Sequence, residues 1–160
     1  MKSTLSRTLT VAVMAVSIQA AFAADNEPAA ATADKLAPAR AQIAAKQWRA
    51  AIEELKKIND PASADWNNLM GYSLRKAKVP DYEGAERYYD EALRIDPKHR
   101  GTLEYSGELY LMKGDLAKAE DRLAALDKIC RLPCQEYTEL KKAVAAYKAN
   151  GNKYVASANW

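Results

Sequence analysis

Histidine is nearly absent from this 160-residue sequence, with His99 its single representative. That residue follows Asp96-Pro97-Lys98 in a turn, where a polar surface side chain is expected. There is no Ser/His/Asp grouping, metal-ligand cluster or glycine-rich phosphate loop, so a catalytic reading has no residues to use. An enzyme is not expected, nor a cofactor or a metal site. Phenylalanine is as scarce: Phe22 is the only one. Tyr, Leu, Ile and Trp must supply the large core side chains. The apolar run at residues 9–18, LTVAVMAVSI, is shorter than the roughly 20 residues that cross a bilayer core. No clustered Lys/Arg face marks a nucleic-acid footprint. No alternating strand pattern appears, which leaves helices as the building material.

The first segment has the layout of a secretory signal peptide. Lys2 and Arg7 give a basic start, residues 9–18 an apolar centre, and Ala21-Phe22-Ala23 the small residues that flank a signal-peptidase cut expected after Ala23. Ala24 follows, not the Cys of a lipoprotein, so the mature protein is expected to be soluble and periplasmic or secreted. Without Lys2 and Arg7 the 24 basic residues fall to 22, against 21 acidic ones, and the mature chain is near neutral. Residues 24–33, ADNEPAAATA, are small, polar and Pro-containing, and read as a flexible leader. Residues 34–151 hold one domain, and 152–160 a tail in which Trp160 is either tucked onto the domain or exposed for a partner.

Within that domain three columns recur every 34 residues: Ala51, Ala85 and Ala119; Leu55, Tyr89 and Leu123; Ile58, Ala92 and Leu126. Trp48, Tyr82 and Leu116 open each copy at the same interval. A period of this length points to a solenoid of helix pairs. A small residue fits where two helices cross closely, and the bulky residue four positions on fills the groove beside the crossing. Punctuation places seven helices: 34–46, 48–58, 64–76, 81–95, 98–112, 115–129 and 133–150. Asn59-Asp60-Pro61, Lys78-Val79-Pro80 and Asp96-Pro97 break the chain between them, Ser63, Asp81 and Asp115 cap starts, and Gly114 and Gly151 end helices.

These residues resemble the tetratricopeptide repeat family. Gly71 in NLMGYSLRK, then Asp81-Tyr82, Ala85, Tyr89, Ala92 and Pro97, match one copy of its pattern. Gly107, Tyr110, Gly114-Asp115, Ala119, Leu123 and Leu126 match the next. A degenerate first copy keeps Trp48, Ala51 and Leu55. Gly71 to Asp81 spans 10 residues but Gly107 to Asp115 only 8, so two extra residues sit in the Lys78-Val79-Pro80 turn. The resemblance covers about residues 35–131. It implies an all-α, right-handed solenoid of antiparallel helix pairs, about three repeats long. The last helix offers Tyr137, Leu140, Val144 and Tyr147 on one side and charges elsewhere, as suits a cap on the open end.

The resemblance also implies a concave groove lined by the first helix of each pair. The stripe there is Asn68, Tyr72 and Arg75 with Lys76 adjacent, then Glu104, Glu108 and Leu111 with Met112 adjacent. Chaperone-binding members of the family clamp a carboxylate with Lys, Asn and Arg. Asn68 and Arg75 echo part of that clamp, but Tyr72 and Glu108 occupy clamp positions, so the function does not carry over. Solvated side chains are the plain alternative at each position.

Cys130 and Cys134 form C-x3-C in CRLPC. In an exported protein two nearby thiols most simply join as a disulfide. Haem attachment needs C-x-x-C-H, and a thioredoxin-type pair needs C-x-x-C in an α/β fold. Copper(I) held by the two thiolates is a further reading. The preferred function is a non-catalytic, exported adaptor or scaffold that binds a protein or peptide. The alternative is a thiol-redox or copper-handling accessory protein that uses the Cys130/Cys134 pair. Neither the partner nor the oligomeric state is legible from the residues.

Overall fold

The computed structural model describes residues 34–132 and 134–154. The signal peptide, its cut after Ala23, the leader 24–33, Pro133 and Trp160 lie outside the described residues. The described chain is helical throughout, with α1 Ala37–Ala44, α2 Trp48–Ile58, α3 Ala64–Lys76, α4 Tyr82–Ile95, α5 Arg100–Lys113, α6 Leu116–Ile129 and α7 Gln135–Ala149. None of these helices is long and apolar enough to cross a membrane.

The boundaries follow local chemistry. Ser63 accepts from the Trp66 N–H at 3.2 Å, Asp81 from Gly84 at 2.8 Å and Asp115 from Lys118 at 3.1 Å. Each satisfies an otherwise orphaned donor in the first turn, a contribution of about 1 kcal/mol. Gly114 closes α5 at φ +82°, and Asn59 closes α2 in the same left-handed region. The start of α5 differs from the expectation of a surface histidine. His99 is its N-cap, with Nδ1 accepting from the Thr102 N–H at 3.1 Å, while Nε2 meets Asp65 Oδ1 at 2.8 Å. A ring able to accept on one nitrogen and donate on the other joins two repeats, so its side chain is only 16% exposed.

Helices pack as pairs, α1 on α2, α3 on α4 and α5 on α6, while α7 lies on both α5 and α6. The 34-residue columns form the interior. Ala51, Ala85, Ala119, Leu55, Tyr89, Ala92 and Leu126 are all fully buried. Leu123 and Ile58 are half-buried and pack on the edges of the core clusters. Removing a side chain such as Leu55 from water is worth about 1.5–3 kcal/mol. Gly71 marks the closest crossing. A Cβ there would stand 2.7 Å from the Tyr89 ring and 3.1 Å from the Ala85 carbonyl. Trp66 ties α3 to α2 by donating its indole N–H to the Leu55 carbonyl at 2.8 Å. The longer α3–α4 turn carries Val79 into solvent at 83% exposure. The capping helix buries Leu140, Val144 and Tyr147 against Leu103, Tyr110, Leu111 and Leu126.

Candidate functional site

The inner side of the stack is built from first helices: α3 touches α1 and α5, and α5 touches α7. The second helices α2, α4 and α6 take the other side of each pair. Among the described residues, the buried polar side chains all sit on α3 and α5: Asn67, Asn68, Ser73, Arg75, Thr102, Glu104, Ser106 and Glu108. Polar burial of this density on two adjacent helices is a site signal, because each such group needs a partner.

At its centre Arg75 Nη1 donates to Glu108 Oε2 at 2.7 Å, with both side chains 2% exposed. The two residues come from α3 and α5, so the pair fastens one repeat to the next. The guanidinium lies 5.4 Å from the Tyr72 ring and 5.6 Å from the Tyr105 ring. Those rings are 4.6 Å apart, and Tyr72 meets Trp48 edge-on at 5.8 Å. An aromatic row therefore crosses the inner face, with a cation held over it.

The charges are unevenly compensated. Burial pushes the Glu108 carboxyl up, and Arg75 offsets part of that rise. Glu104 is pushed up to about 8, first by burial and then by the Glu108 and Glu136 charges. Lys76 is lowered by burial and by Arg75 beside it. Arg75 Nε and Nη2, Asn68 Oδ1, Ser73 Oγ and the Tyr89 hydroxyl are buried and have no hydrogen-bond partner among the described residues, and the Tyr89 hydroxyl lies close to the Arg75 guanidinium.

The positions expected to line the groove divide by depth. Asn68, Arg75, Glu104, Glu108 and Leu111 are buried, whereas Tyr72, Lys76 and Met112 are half-exposed. Tyr72, Arg75, Glu108 and Met112 come together, with Met112 Sδ 3.9 Å from Arg75 Nη1. Tyr105 was missed. It follows Glu104 directly and falls off the stripe running through Glu104, Glu108 and Leu111, although it stands 33 residues after Tyr72, nearly one repeat on. Cys130 and Cys134 are bonded, with Cα atoms 5.8 Å apart, between the last residue of α6 and the first of α7. Among the described residues no group of three or more His, Cys, Asp or Glu is placed to hold a metal ion.

A tetratricopeptide repeat family model matches residues 80–140. No curated protein matches the sequence. Among solved structures, the type III secretion translocator chaperone SycD of Yersinia enterocolitica is similar, with a TM-score of 0.63 at 18% identity over 73% of this chain and 83% of that one. The same chaperone in complex with a peptide of the translocator YopD gives a TM-score of 0.59 at 22% identity, covering 72% of this chain and 88% of that one. At such identities the likeness concerns the fold. Residues 80–140 match that repeat model, and the described helices share the helix-pair architecture of these chaperones.

Proposed function

We propose that this protein is an exported, periplasmic protein-interaction module, an adaptor or scaffold that holds an extended peptide segment of a partner against its inner face and catalyses nothing. The observation that carries this reading is the half-exposed Trp48–Tyr72–Tyr105 row on the inner face, with the Arg75 guanidinium held against it. The apolar side chains of a peptide would lie on the rings. The structurally similar chaperone with a bound peptide supports the same use of the fold. Export is supported by the basic start, the apolar residues 9–18 and Ala21-Phe22-Ala23, and an oxidising compartment suits the Cys130–Cys134 bond.

The test uses half-exposed groove residues, because Arg75 and Glu108 also hold the repeats together. Tyr72→Ala and Lys76→Glu, shown to be folded by circular dichroism, should lose the partners that the wild-type chain captures from periplasmic extract. Undiminished capture by both variants would remove the groove from the function. Fractionation with N-terminal sequencing tests export, and a mature chain not beginning at Ala24 would count against the expected cut.

A further inference from the structure

The two junctions between repeats differ where the second helix of one repeat meets the end of the first helix of the next. At the 34-residue interval, Arg49 and Ile52 of α2 correspond to Glu83 and Glu86 of α4. Ala77 and Lys113 correspond too, each six residues beyond its crossing glycine, Gly71 or Gly107. At the second junction Lys113 donates to Glu83 Oε1 at 2.8 Å and also bonds Glu86, which fastens the end of α5 onto α4. At the first junction an arginine, an isoleucine and an alanine stand in those places, so no such bridge can form. The turn there is also longer, by the two extra residues in Lys78-Val79-Pro80, and it carries Val79 to 83% exposure.

What remains is an open cleft of about 450 Å³ between α2 and the end of α3, a volume in the range of ligand pockets. Helix α2 lines it with Trp48 and Ile52, and α3 and its turn line it with Leu74 and Val79. The first three are half-exposed and Val79 stands in solvent. Exposed apolar side chains gathered in one place inside a polar rim mark an interaction surface. The rim is basic. Its one carboxylate, Glu53, is engaged by Lys56 at 3.1 Å. Arg49 and Lys78 add two positive charges that no carboxylate pairs with among the described residues. In repeat arrays an insertion within one copy maps to a loop on one face, often the binding face.

We infer that this cleft is a second docking site, which takes a segment of a protein partner bearing a large apolar side chain next to Asp or Glu. The apolar side chain would enter between Trp48 and Val79, and the carboxylate would meet Arg49 and Lys78. The pairing of acid with base that the second junction makes internally would be completed here from outside. A segment with a basic residue in that place would be repelled, so charge selects the partner. The inference goes beyond the inner-face groove. Trp48 is common to both sites through its edge contact with Tyr72 at 5.8 Å, but the rest of the cleft belongs to neither helix row of the groove, so either site can fail without the other.

Random dodecapeptides displayed on phage and panned on the full mature chain test the site. Peptides that combine Asp or Glu with a large apolar residue should be enriched. One of them, made synthetically, should bind the Arg49→Glu and Val79→Asp variants at least tenfold more weakly than the wild-type chain, and should shift the NMR signal of the Trp48 indole N–H. Arg49 and Val79 are both exposed, so neither change touches the core. Selection without an acidic bias, or equal affinity for the wild type and both variants, would overturn the inference. Phosphatidylglycerol vesicles and sedimentation cover the other occupants. Vesicle binding that both variants abolish, with no acidic peptide selected, would assign the cleft to a lipid surface; self-association that they relieve would assign it to a second copy. Either result overturns the inference. Tyr72→Ala separates the two sites. A peptide weakened by Tyr72→Ala alone sits in the inner groove, which overturns the cleft and leaves the groove standing. One weakened by Arg49→Glu alone sits in the cleft, whether or not the groove serves a partner.

Discussion

The two helices of each pair do opposite work, and the contrast is clearest between α4 and α3. Helix α4 buries Gly84, Ala85, Tyr89 and Ala92, with no charged side chain among them. Its partner α3 buries Trp66, Leu69, Met70 and Gly71 but also Asn67, Asn68, Ser73 and Arg75. The same division separates α6, which buries Ala119 and Leu126, from α5, which buries Thr102, Glu104, Ser106 and Glu108. A solenoid needs one wall that only packs, and packing is cheapest with apolar side chains of fixed size. The other wall is free to carry polar groups at a cost in stability, and such a cost is tolerated where the groups serve a ligand.

The sharpest way to break this contrast is at the central ion pair. Arg75→Ala or Glu108→Ala alone should lower unfolding stability by about 3–5 kcal/mol, since each leaves a buried charge without its partner. The double change Arg75→Met with Glu108→Leu should recover most of that loss in urea titrations while abolishing partner capture. A double variant as unstable as the singles would mean that the pair does not trade stability for function.

Next in size is the response to pH. The Glu104 carboxyl is raised from 4.5 to about 8 in the fold, so the native state binds more protons than the unfolded chain between those values. Its contribution is fully present below pH 4.5 and is lost as pH rises through about 8. With one pKa unit worth about 1.4 kcal/mol, the loss should be on the order of 3 kcal/mol after solvent relaxation. Glu104→Gln should flatten that part of the stability–pH profile. Glu86, on the outer wall, is lowered by its Lys113 and Lys118 partners, and Glu86→Gln should leave the alkaline decline in place.

The Cys130–Cys134 bond joins α6 of the packing wall to α7 on the inner side. Replacing both by Ser should lower stability by ~2 kcal/mol, the loop-closure value for so short a ring. Partner capture by the folded fraction should persist. Lost capture in a fully folded variant would favour a chemical role for the thiols.

The smallest effects compare the two crossing glycines. Gly71→Ala would put a methyl 2.7 Å from the Tyr89 ring, and a rigid buried ring yields little, so about 1–2 kcal/mol should be lost. Gly107→Ala would meet the Leu140 methyls at 2.6 and 2.8 Å. Both variants gain helix propensity of about 1 kcal/mol, but the Leu140 methyls can turn to another rotamer more readily than the Tyr89 ring can move, and with Arg122 Cβ 3.3 Å away the loss at Gly107 should be the smaller of the two. Melting curves should therefore separate the two variants.

The packing wall was legible in the sequence. A column such as Ala51, Ala85 and Ala119 repeats because the same steric limit recurs at each crossing, and local punctuation set the helix ends. The first helix departs most: it was expected over 34–46 and occupies Ala37–Ala44, with Lys46 at φ 56°, while α5 and α7 each begin two residues later than expected. No capping side chain bonds the start of α1, so its limits depend on the turn into α2. The groove was legible only as a set of positions. Asn68, Tyr72, Arg75, Glu104 and Glu108 lie at helical spacing on their own helices, but nothing in that spacing says which of them meet. Nor does it show that His99, five residues before Glu104, locks α5 to Asp65.

Sequence by itself determined the period, the helix pairs, the apolar wall and the inventory of groove side chains, because helix formation and small-residue crossings are governed by near neighbours. Tertiary structure alone decided that Arg75 lies against Tyr72 and Tyr105 and is fastened to Glu108, and that Asn68, Glu104 and Glu108 are buried. Those outcomes depend on the distance between helices about 33 residues apart in sequence and on how much water their packing excludes, and neither quantity is written in any local pattern of residues.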